Sequence, residues 1–162
     1  MDTFILTMTW LGSCYLLLPL AACISLLLIW AGRSGQAILL SLSLIMTIVS
    51  VHAMKLMFRR PRPAITELLV PMPPDWSFPS AHTAQATAFF LALSLIAIRL
   101  LPPFWAGLIA LLSLLIIGTV GYSRVYLQVH FISDVLAGMV LAILVVLAMQ
   151  VVIPLLPWQQ GK

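Results

Sequence analysis

The chain has 162 residues, of which 63% are hydrophobic and 7% are charged, and its formal net charge is +4. Soluble domains carry about a quarter charged residues, so this composition excludes a soluble globular domain, and the scarcity of polar residues excludes a disordered chain. We expect one all-α membrane domain over residues 1–162, without a nucleic-acid partner.

A helix needs about 20 apolar residues to cross the hydrocarbon layer of a membrane. Five such runs are bounded by charged residues, proline or glycine, and they extend from Phe4 to Trp30, from Gln36 to Phe58, from Ser80 to Leu101, from Pro103 to Tyr122 and from His130 to Leu156. The runs are continuous and rich in leucine, and they lack the alternation of membrane β-strands. The sequence therefore predicts a polytopic bundle of about five transmembrane helices.

Basic residues cluster where the second predicted helix ends, at Lys55, Arg59, Arg60 and Arg62. Such a cluster can be an ordinary cytoplasmic anchor that follows the positive-inside rule. However, Lys55 lies within an apolar helical pattern, and a charge at membrane depth costs several kcal/mol unless it has a partner or a purpose. An anionic ligand would supply that partner. The next segment contains six prolines up to Pro79, which exclude a long helix there.

The third predicted helix starts within the sequence Pro79, Ser80, Ala81, His82. Serine is a good N-cap residue, and the first N–H groups of a helix favour the binding of phosphate. Serine also caps helices for purely structural reasons, so this segment alone is a weak indication of function.

A sharper pattern combines Ser123 and Arg124 with His130 and Asp134. Residues four apart on a helix lie on one face, so the Asp134 carboxylate is expected to accept a hydrogen bond from one imidazole nitrogen of His130. The other nitrogen is then unprotonated and oriented, as a nucleophile requires. A buried aspartate without a function would be costly in a membrane helix.

Together these segments resemble the motifs of the type 2 phosphatidic acid phosphatases, a family that is similar to vanadium haloperoxidases in its active site. The matching positions are Lys55, Arg62 and Pro63 in the first motif, Pro79, Ser80, Ala81 and His82 in the second, and Ser123, Arg124, His130 and Asp134 in the third. Ala81 replaces the usual glycine of the second motif. Members of the family typically have six membrane helices, and this sequence is expected to lack the first.

The resemblance implies a role for each matched residue. The phosphate oxygens would be bound by Lys55, Arg62, Ser80, Arg124 and the N–H of Ala81. His130 would attack phosphorus and form a phosphohistidine, and Asp134 would orient it. His82 would protonate the leaving oxygen and later activate water.

Neither a metal nor another cofactor is expected. The four acidic residues, Asp2, Glu67, Asp75 and Asp134, form no plausible carboxylate cluster for magnesium. Zinc is disfavoured because five nearby basic residues would repel a dication.

The expected partners are the bilayer and a phosphorylated lipid substrate. An active site that faces outward suits undecaprenyl diphosphate as the substrate, with phosphatidylglycerophosphate, phosphatidic acid and a lipid A precursor as alternatives. A vanadate-dependent haloperoxidase-like enzyme and an inactive membrane scaffold are the alternatives of another class. The oligomeric state is not predicted.

Positive charges also suggest an orientation. Arg33, Arg99 and Lys162 mark the end of the bundle opposite the motifs, and the positive-inside rule makes that end cytoplasmic. The family resemblance supports the same orientation. We expect a bacterial inner-membrane protein whose N-terminus and active site face the periplasm or exterior and whose C-terminus lies inside.

Overall fold

The computed structural model describes residues 2–63 and 70–155, and helices make up most of this part of the chain. The helices are α1 (Asp2–Trp10), α2 (Cys14–Trp30), α3 (Ser34–Phe58), α4 (Ala81–Leu100), α5 (Pro103–Tyr126) and α6 (Ile132–Val152), followed by a 3-10 turn (Ile153–Leu155). The predicted all-α fold is confirmed. Glu67, Lys162 and the predicted helix end at Leu156 lie outside the described residues.

Four segments are long and apolar enough to cross a membrane, namely α3, α4, α5, and α6 with its 3-10 turn. Helices α1 and α2 form a fifth span if this bent pair is counted as one. The chain is therefore an integral membrane protein with four or five candidate spans in its described part, in agreement with the predicted five.

The first predicted run is not one straight helix, because the chain bends by 45° between α1 and α2. Ser13 has an extended backbone, and its Oγ accepts a hydrogen bond from the Tyr15 N–H at 3.3 Å, so a new helix starts there. Gly12 permits a close approach, since a Cβ at this position would lie 2.7 Å from the His82 carbonyl oxygen. The bend therefore lies against the start of α4, while α1 itself packs against α5.

Two other predicted boundaries are corrected. Helix α5 continues to Tyr126, so Arg124 lies in its last turns and does not follow the helix. Helix α6 begins at Ile132, so the expectation that His130 and Asp134 share a helix face is wrong. The start of α6 is fixed by Asp134, whose Oδ2 accepts a hydrogen bond from the Phe131 N–H at 2.9 Å.

Helix α4 lies at the centre of the bundle, where it contacts α2, α3, α5 and α6. Its core positions include Ala84, Ala86, Ala88 and Ala92, and such small side chains let neighbouring helices approach closely. From α2 to α6, successive helices alternate in direction, which brings the C-terminal ends of α3 and α5 together with the N-terminal ends of α2, α4 and α6. We call this end of the bundle the motif end.

At the opposite end, Arg33 precedes α3 and Arg99 lies in the last turn of α4. The Arg99 guanidinium donates a hydrogen bond to Gln150 Oε1 at 2.8 Å, which joins α4 to α6. These two basic residues therefore lie at the end that the sequence predicted for them.

Candidate active site

The motif end contains a cavity of about 380 Å3. Its walls are formed by Tyr15, Lys55, Arg62, Pro73, Pro74, Asp75, Ala81, His82, Arg124 and His130. Six of the eight predicted site residues thus line one cavity, and three of these six carry a positive charge. Of the remaining two, Asp134 lies behind His130 and Ser80 is buried in the protein interior.

His130 presents its two ring nitrogens to different surroundings. Its Nδ1 lies 3.5 Å from Asp134 Oδ2 and 3.3 Å from Ser77 Oγ. Its Nε2 lies 3.2 Å from Arg62 Nη1, on the cavity side. Because the guanidinium can only donate, this contact requires an unprotonated Nε2, which leaves the ring proton on Nδ1 facing the carboxylate.

Burial lowers the pKa of His130 to about 4. The hydrogen bond to Asp134 acts in the opposite direction, and the nearby charges of Arg62, Arg124 and Lys55 add to the lowering. The imidazole is therefore neutral near pH 7, the form in which it can act as a nucleophile.

Asp134 has no exposed surface, and its carboxylate is surrounded by donors. Arg60 Nη1 donates to Oδ1 at 2.7 Å, and Ser77 Oγ donates to Oδ2 at 2.5 Å. The Arg60 guanidinium also lies 4.2 Å above the centre of the Phe131 ring. These contacts hold the carboxylate charged and fix its position beside His130.

Sequence reasoning assigned no role to Arg60 or Ser77. Arg60 was visible only as one member of a basic cluster, and Ser77 stood in a loop of unknown path. Both residues lie close to Asp134 because that loop folds back on the end of α3. The Ser77 N–H donates a hydrogen bond to the Arg60 carbonyl oxygen at 2.9 Å, which holds the two residues together.

Lys55 and Arg62 both contact Asp75, a residue that sequence reasoning considered only as a metal ligand. Lys55 is buried, and its Nζ lies 2.9 Å from Asp75 Oδ2. Arg62 donates to Asp75 Oδ1 through Nη2 and to the Asp75 carbonyl oxygen through Nε at 2.9 Å. Burial raises the pKa of Asp75, but the hydrogen bonds from Lys55 and Arg62 outweigh this effect and hold the pKa below its usual value.

Arg124 is also buried, and it has fewer partners. Its Nη1 donates to Thr9 Oγ1 at 2.6 Å, which ties the end of α5 to α1. Its buried Nε has no hydrogen-bond partner within the part of the chain that the structure describes. A buried donor without a partner is costly, so this group is well suited to bind an oxygen atom of a ligand in the cavity.

The N-terminus of α4 enters the cavity through Ala81 and His82. Ala81 is not among the residues with positive φ, so alanine in place of glycine introduces no backbone strain. Ser80 is the N-cap residue of α4, as the sequence predicts, but its hydroxyl makes no capping hydrogen bond and lies 3.0 Å from Thr83 Oγ1. Ser80 is fully buried, and its backbone N–H donates to the Asp134 carbonyl oxygen at 3.0 Å.

Within residues 2–63 and 70–155, no group of three or more His, Cys, Asp or Glu side chains could hold a metal ion. The charges that face the cavity are instead those of Lys55, Arg62 and Arg124, opposed by Asp75. The arrangement can bind an anion with several oxygen atoms and place it beside Nε2 of His130.

A family profile described as the PAP2 superfamily matches residues 36–157. The chain belongs to this superfamily. The family predicted from the three motifs is thereby confirmed, and the matched region of this PAP2 chain includes the ends of α3, α4, α5 and α6 that form the cavity.

Two curated relatives of this PAP2 chain carry the names of phosphatases. An undecaprenyl-diphosphatase of Sulfolobus acidocaldarius is 32% identical over 134 residues, which are 80% of this chain and 60% of that protein. Phosphatidylglycerophosphatase B of Bacillus subtilis is 30% identical over 145 residues, which are 84% of this chain and 67% of that protein. The chain thus spans about three fifths to two thirds of the length of these relatives.

Two solved structures share the fold. The transmembrane PAP2-type phosphatidylglycerolphosphate phosphatase from Bacillus subtilis has a TM-score of 0.85 and 27% identity, and the match covers 93% of this chain and 75% of that chain. Aquifex aeolicus LpxE has a TM-score of 0.73 and 30% identity, with 92% and 84% covered. The helix bundle of this PAP2 chain is therefore the fold of known membrane phosphatases.

Proposed function

We propose that the protein is a membrane lipid phosphatase that hydrolyses a phosphomonoester or diphosphate through a phosphohistidine at His130. The observation that carries this proposal is the unprotonated Nε2 of His130, which lies in the same cavity as Lys55, Arg62 and Arg124. The phosphatases among its relatives support the same reaction class.

The reaction requires two displacements at phosphorus. In the first, Nε2 of His130 forms a bond to phosphorus while the bond to the leaving oxygen breaks, and His82 gives its proton to that oxygen. In the second, His82 takes a proton from water, the water oxygen attacks phosphorus, and the bond to Nε2 breaks. The products are inorganic phosphate and the dephosphorylated lipid, or phosphate and a lipid monophosphate when the substrate is a diphosphate.

Fixed charges supply most of the transition-state stabilisation in this scheme. Lys55, Arg62 and Arg124 are positioned before the reaction starts, so they need not reorganise as negative charge develops on the transferring group. Asp134 compensates the positive charge that the imidazole of His130 gains in the intermediate. Side-chain cations thus take the part that metal ions have in other phosphoryl transfers, and the proposal includes no cofactor.

A second cavity supports a lipid as the leaving group. It has a volume of about 240 Å3 and is lined by Thr9, Trp10, Ser13, Tyr15 and His82. His82 and Tyr15 line both cavities, so the proposed acid lies between the phosphate site and the α1–α2 bend. The apolar part of a lipid can extend from there along the exposed side chains of α2 into the bilayer.

Among lipids, we propose undecaprenyl diphosphate as the substrate, because the Sulfolobus relative carries that activity in its name. The name of the Bacillus relative makes phosphatidylglycerophosphate the next candidate. Arg33 and Arg99 at the end opposite the cavity support an orientation in which the cavity opens to the exterior of the cytoplasmic membrane.

The test is release of phosphate by the purified full-length chain in detergent micelles, over a panel of undecaprenyl diphosphate, phosphatidylglycerophosphate, phosphatidic acid and a phosphorylated lipid A precursor. His130→Ala should reduce the release by about a thousandfold or more. His52→Ala is the matched control, because His52 lies exposed on α3 and should leave the rate unchanged.

Full activity of the His130 variant would refute the nucleophile assignment. Absence of phosphate release from every lipid would refute the phosphatase, and bromide oxidation by the same preparation with added vanadate would then favour the haloperoxidase-like alternative.

A further inference from the structure

An acidic side chain of the protein itself lies on the cations that the proposed function assigns to phosphate. Asp75 precedes α4 in the loop that covers the motif end, and its carboxylate contacts both Lys55 and Arg62. It also lines the cavity, and about half of its side-chain surface is exposed. A carboxylate and a phosphate both bind such donors through anionic oxygens, so they compete for the same hydrogen bonds.

The donors of Arg62 are fully used by the chain. A guanidinium has five N–H groups, and five acceptors surround this one. Nε donates to the Asp75 carbonyl oxygen, and Nη1 faces the Val129 carbonyl oxygen at 2.7 Å and Nε2 of His130 at 3.2 Å. Nη2 faces Asp75 Oδ1 and, at 3.5 Å, the Trp76 carbonyl oxygen. A phosphate can gain a contact with Arg62 only by displacing one of these acceptors.

Lys55 is in a similar position, because two of its three N–H groups are directed at Asp75 Oδ2 and the Trp76 carbonyl oxygen. Arg124 differs, since its Nε has no partner within the described residues. The phosphate site therefore has one cation with a free buried donor and two cations that share a single carboxylate.

Asp75 is the acceptor that an incoming anion replaces most readily. The other acceptors on Lys55 and Arg62 are backbone carbonyl groups or the catalytic imidazole, and these are held by the surrounding chain. The Asp75 carboxylate is at the end of a half-exposed side chain, so rotation of that side chain moves it into water. Because its pKa lies below the usual value, it stays ionised and keeps competing across the neutral pH range.

We propose that Asp75 is an internal competitor of the substrate phosphate, which must displace its carboxylate from Lys55 and Arg62 before both cations can bind phosphate. This inference rests on the proposed function. Its consequence is a weaker ground-state affinity for every phosphate ligand, including the inorganic phosphate that must leave after each turnover. Such uniform weakening raises KM and the inhibition constant of phosphate together, without a matching change in kcat.

The test is the affinity of inorganic phosphate for the full-length protein in detergent micelles, measured by calorimetric titration and by the phosphate dependence of thermal unfolding. Asp75→Asn keeps the size of the side chain and removes its charge, and Asp75→Ala removes the competing group altogether. We expect both variants to lower the Kd of phosphate at least tenfold, and to lower KM for the lipid by a similar factor.

Two controls accompany these variants. Asp75→Glu keeps a carboxylate and should stay closer to the wild-type Kd than either neutral variant. Gln36→Lys raises the net charge by one, as Asp75→Asn does, but at the opposite end of the bundle, and it should leave the Kd unchanged.

An unchanged or higher Kd in both neutral variants would overturn the inference, since Asp75 would then be a group that holds Lys55 and Arg62 in place. Absence of saturable phosphate binding in the wild type and in every variant would refute the proposed function itself, and this inference with it.

Discussion

Replacement of Ser77 by alanine tests whether the carboxylate behind His130 must be fixed in position. The substitution removes one hydroxyl group, which donates to Asp134 Oδ2 at 2.5 Å and lies 3.3 Å from Nδ1 of His130. Ser77 is fully buried and does not line the cavity, so its loss should leave phosphate binding intact.

The magnitude follows from the charge of the acceptor. Hydrogen bonds to charged groups contribute about 1.5–3 kcal/mol, which corresponds to roughly tenfold to 150-fold in rate if the whole contribution is lost in the transition state. Asp134 retains its bonds from Arg60 and from the Phe131 N–H, so the carboxylate keeps its charge and loses orientation. We therefore expect kcat to fall by about tenfold or more, with KM changed less than about threefold.

The assay is steady-state phosphate release from the preferred lipid in mixed micelles, with thermal unfolding as the check on folding. Ser133→Ala is the matched control. Ser133 Oγ accepts a hydrogen bond from Arg60 Nη1 at 2.7 Å, next to the same carboxylate, and this bond is exposed to solvent. The control should lose much less activity than Ser77→Ala. Wild-type kcat in a folded Ser77→Ala protein would refute the reasoning.

Three further predictions concern the cavity. Thr9→Val removes the hydroxyl that accepts a hydrogen bond from Arg124 while keeping the side-chain shape, so KM should rise about tenfold. Thr9→Ser keeps the hydroxyl and should have the wild-type KM, whereas a wild-type KM in the valine variant would contradict the role of this contact. Lys55→Ala should weaken phosphate binding and lower kcat, each by about tenfold or more, because Lys55 contacts phosphate in both the ground state and the transition state. A change in phosphate affinity without a change in kcat, or the reverse, would contradict this double role. The imidazole of His130 should titrate in NMR spectra with a midpoint near pH 4, because burial disfavours its protonated form. The imidazole then stays neutral as the pH falls through 6. A midpoint at or above pH 6.5 would contradict the buried environment assigned to His130.

The convergence of the motif residues could be predicted from the sequence. Their spacing put Lys55 at the end of one apolar run, His82 at the start of the next and Arg124 before the last, and alternating helices bring those ends together. Helix periodicity and hydrophobic length determine this arrangement, and neither depends on details of side-chain packing.

The partners of these residues could not be predicted, because the path of the loops decides them. The segment before α4 contains three residues that contact the motif residues, namely Arg60, Asp75 and Ser77. Its six prolines exclude a helix, but they do not specify the path of the chain. Thr9 is 115 positions away from Arg124 in the sequence, and no spacing rule connects them.

The predicted helix boundaries are wrong where a local interaction, and not hydropathy, determines where a helix starts or ends. No charged residue or proline lies close to Gly12, so the run from Phe4 to Trp30 was predicted as one helix across the 45° bend. The bend instead arises from the capping of α2 by Ser13 and from the tight contact of Gly12 with α4. Likewise, Asp134 fixes the start of α6 by accepting a hydrogen bond from the Phe131 N–H, so His130 lies before the helix. The side chains of His130 and Asp134 are nevertheless in contact.

The most direct test of a nucleophilic His130 is identification of the phosphorylated residue after rapid quenching at alkaline pH, where phosphohistidine is stable. His82→Ala is the appropriate protein, because loss of the proposed base should slow hydrolysis of the intermediate more than its formation when the leaving group is a good one. With a radiolabelled substrate, we predict an acid-labile phosphate on His130, found by mass spectrometry and absent from the double variant with His130→Asn. Turnover with no phosphorylated histidine at any time point, or with the label on another residue, would contradict the account.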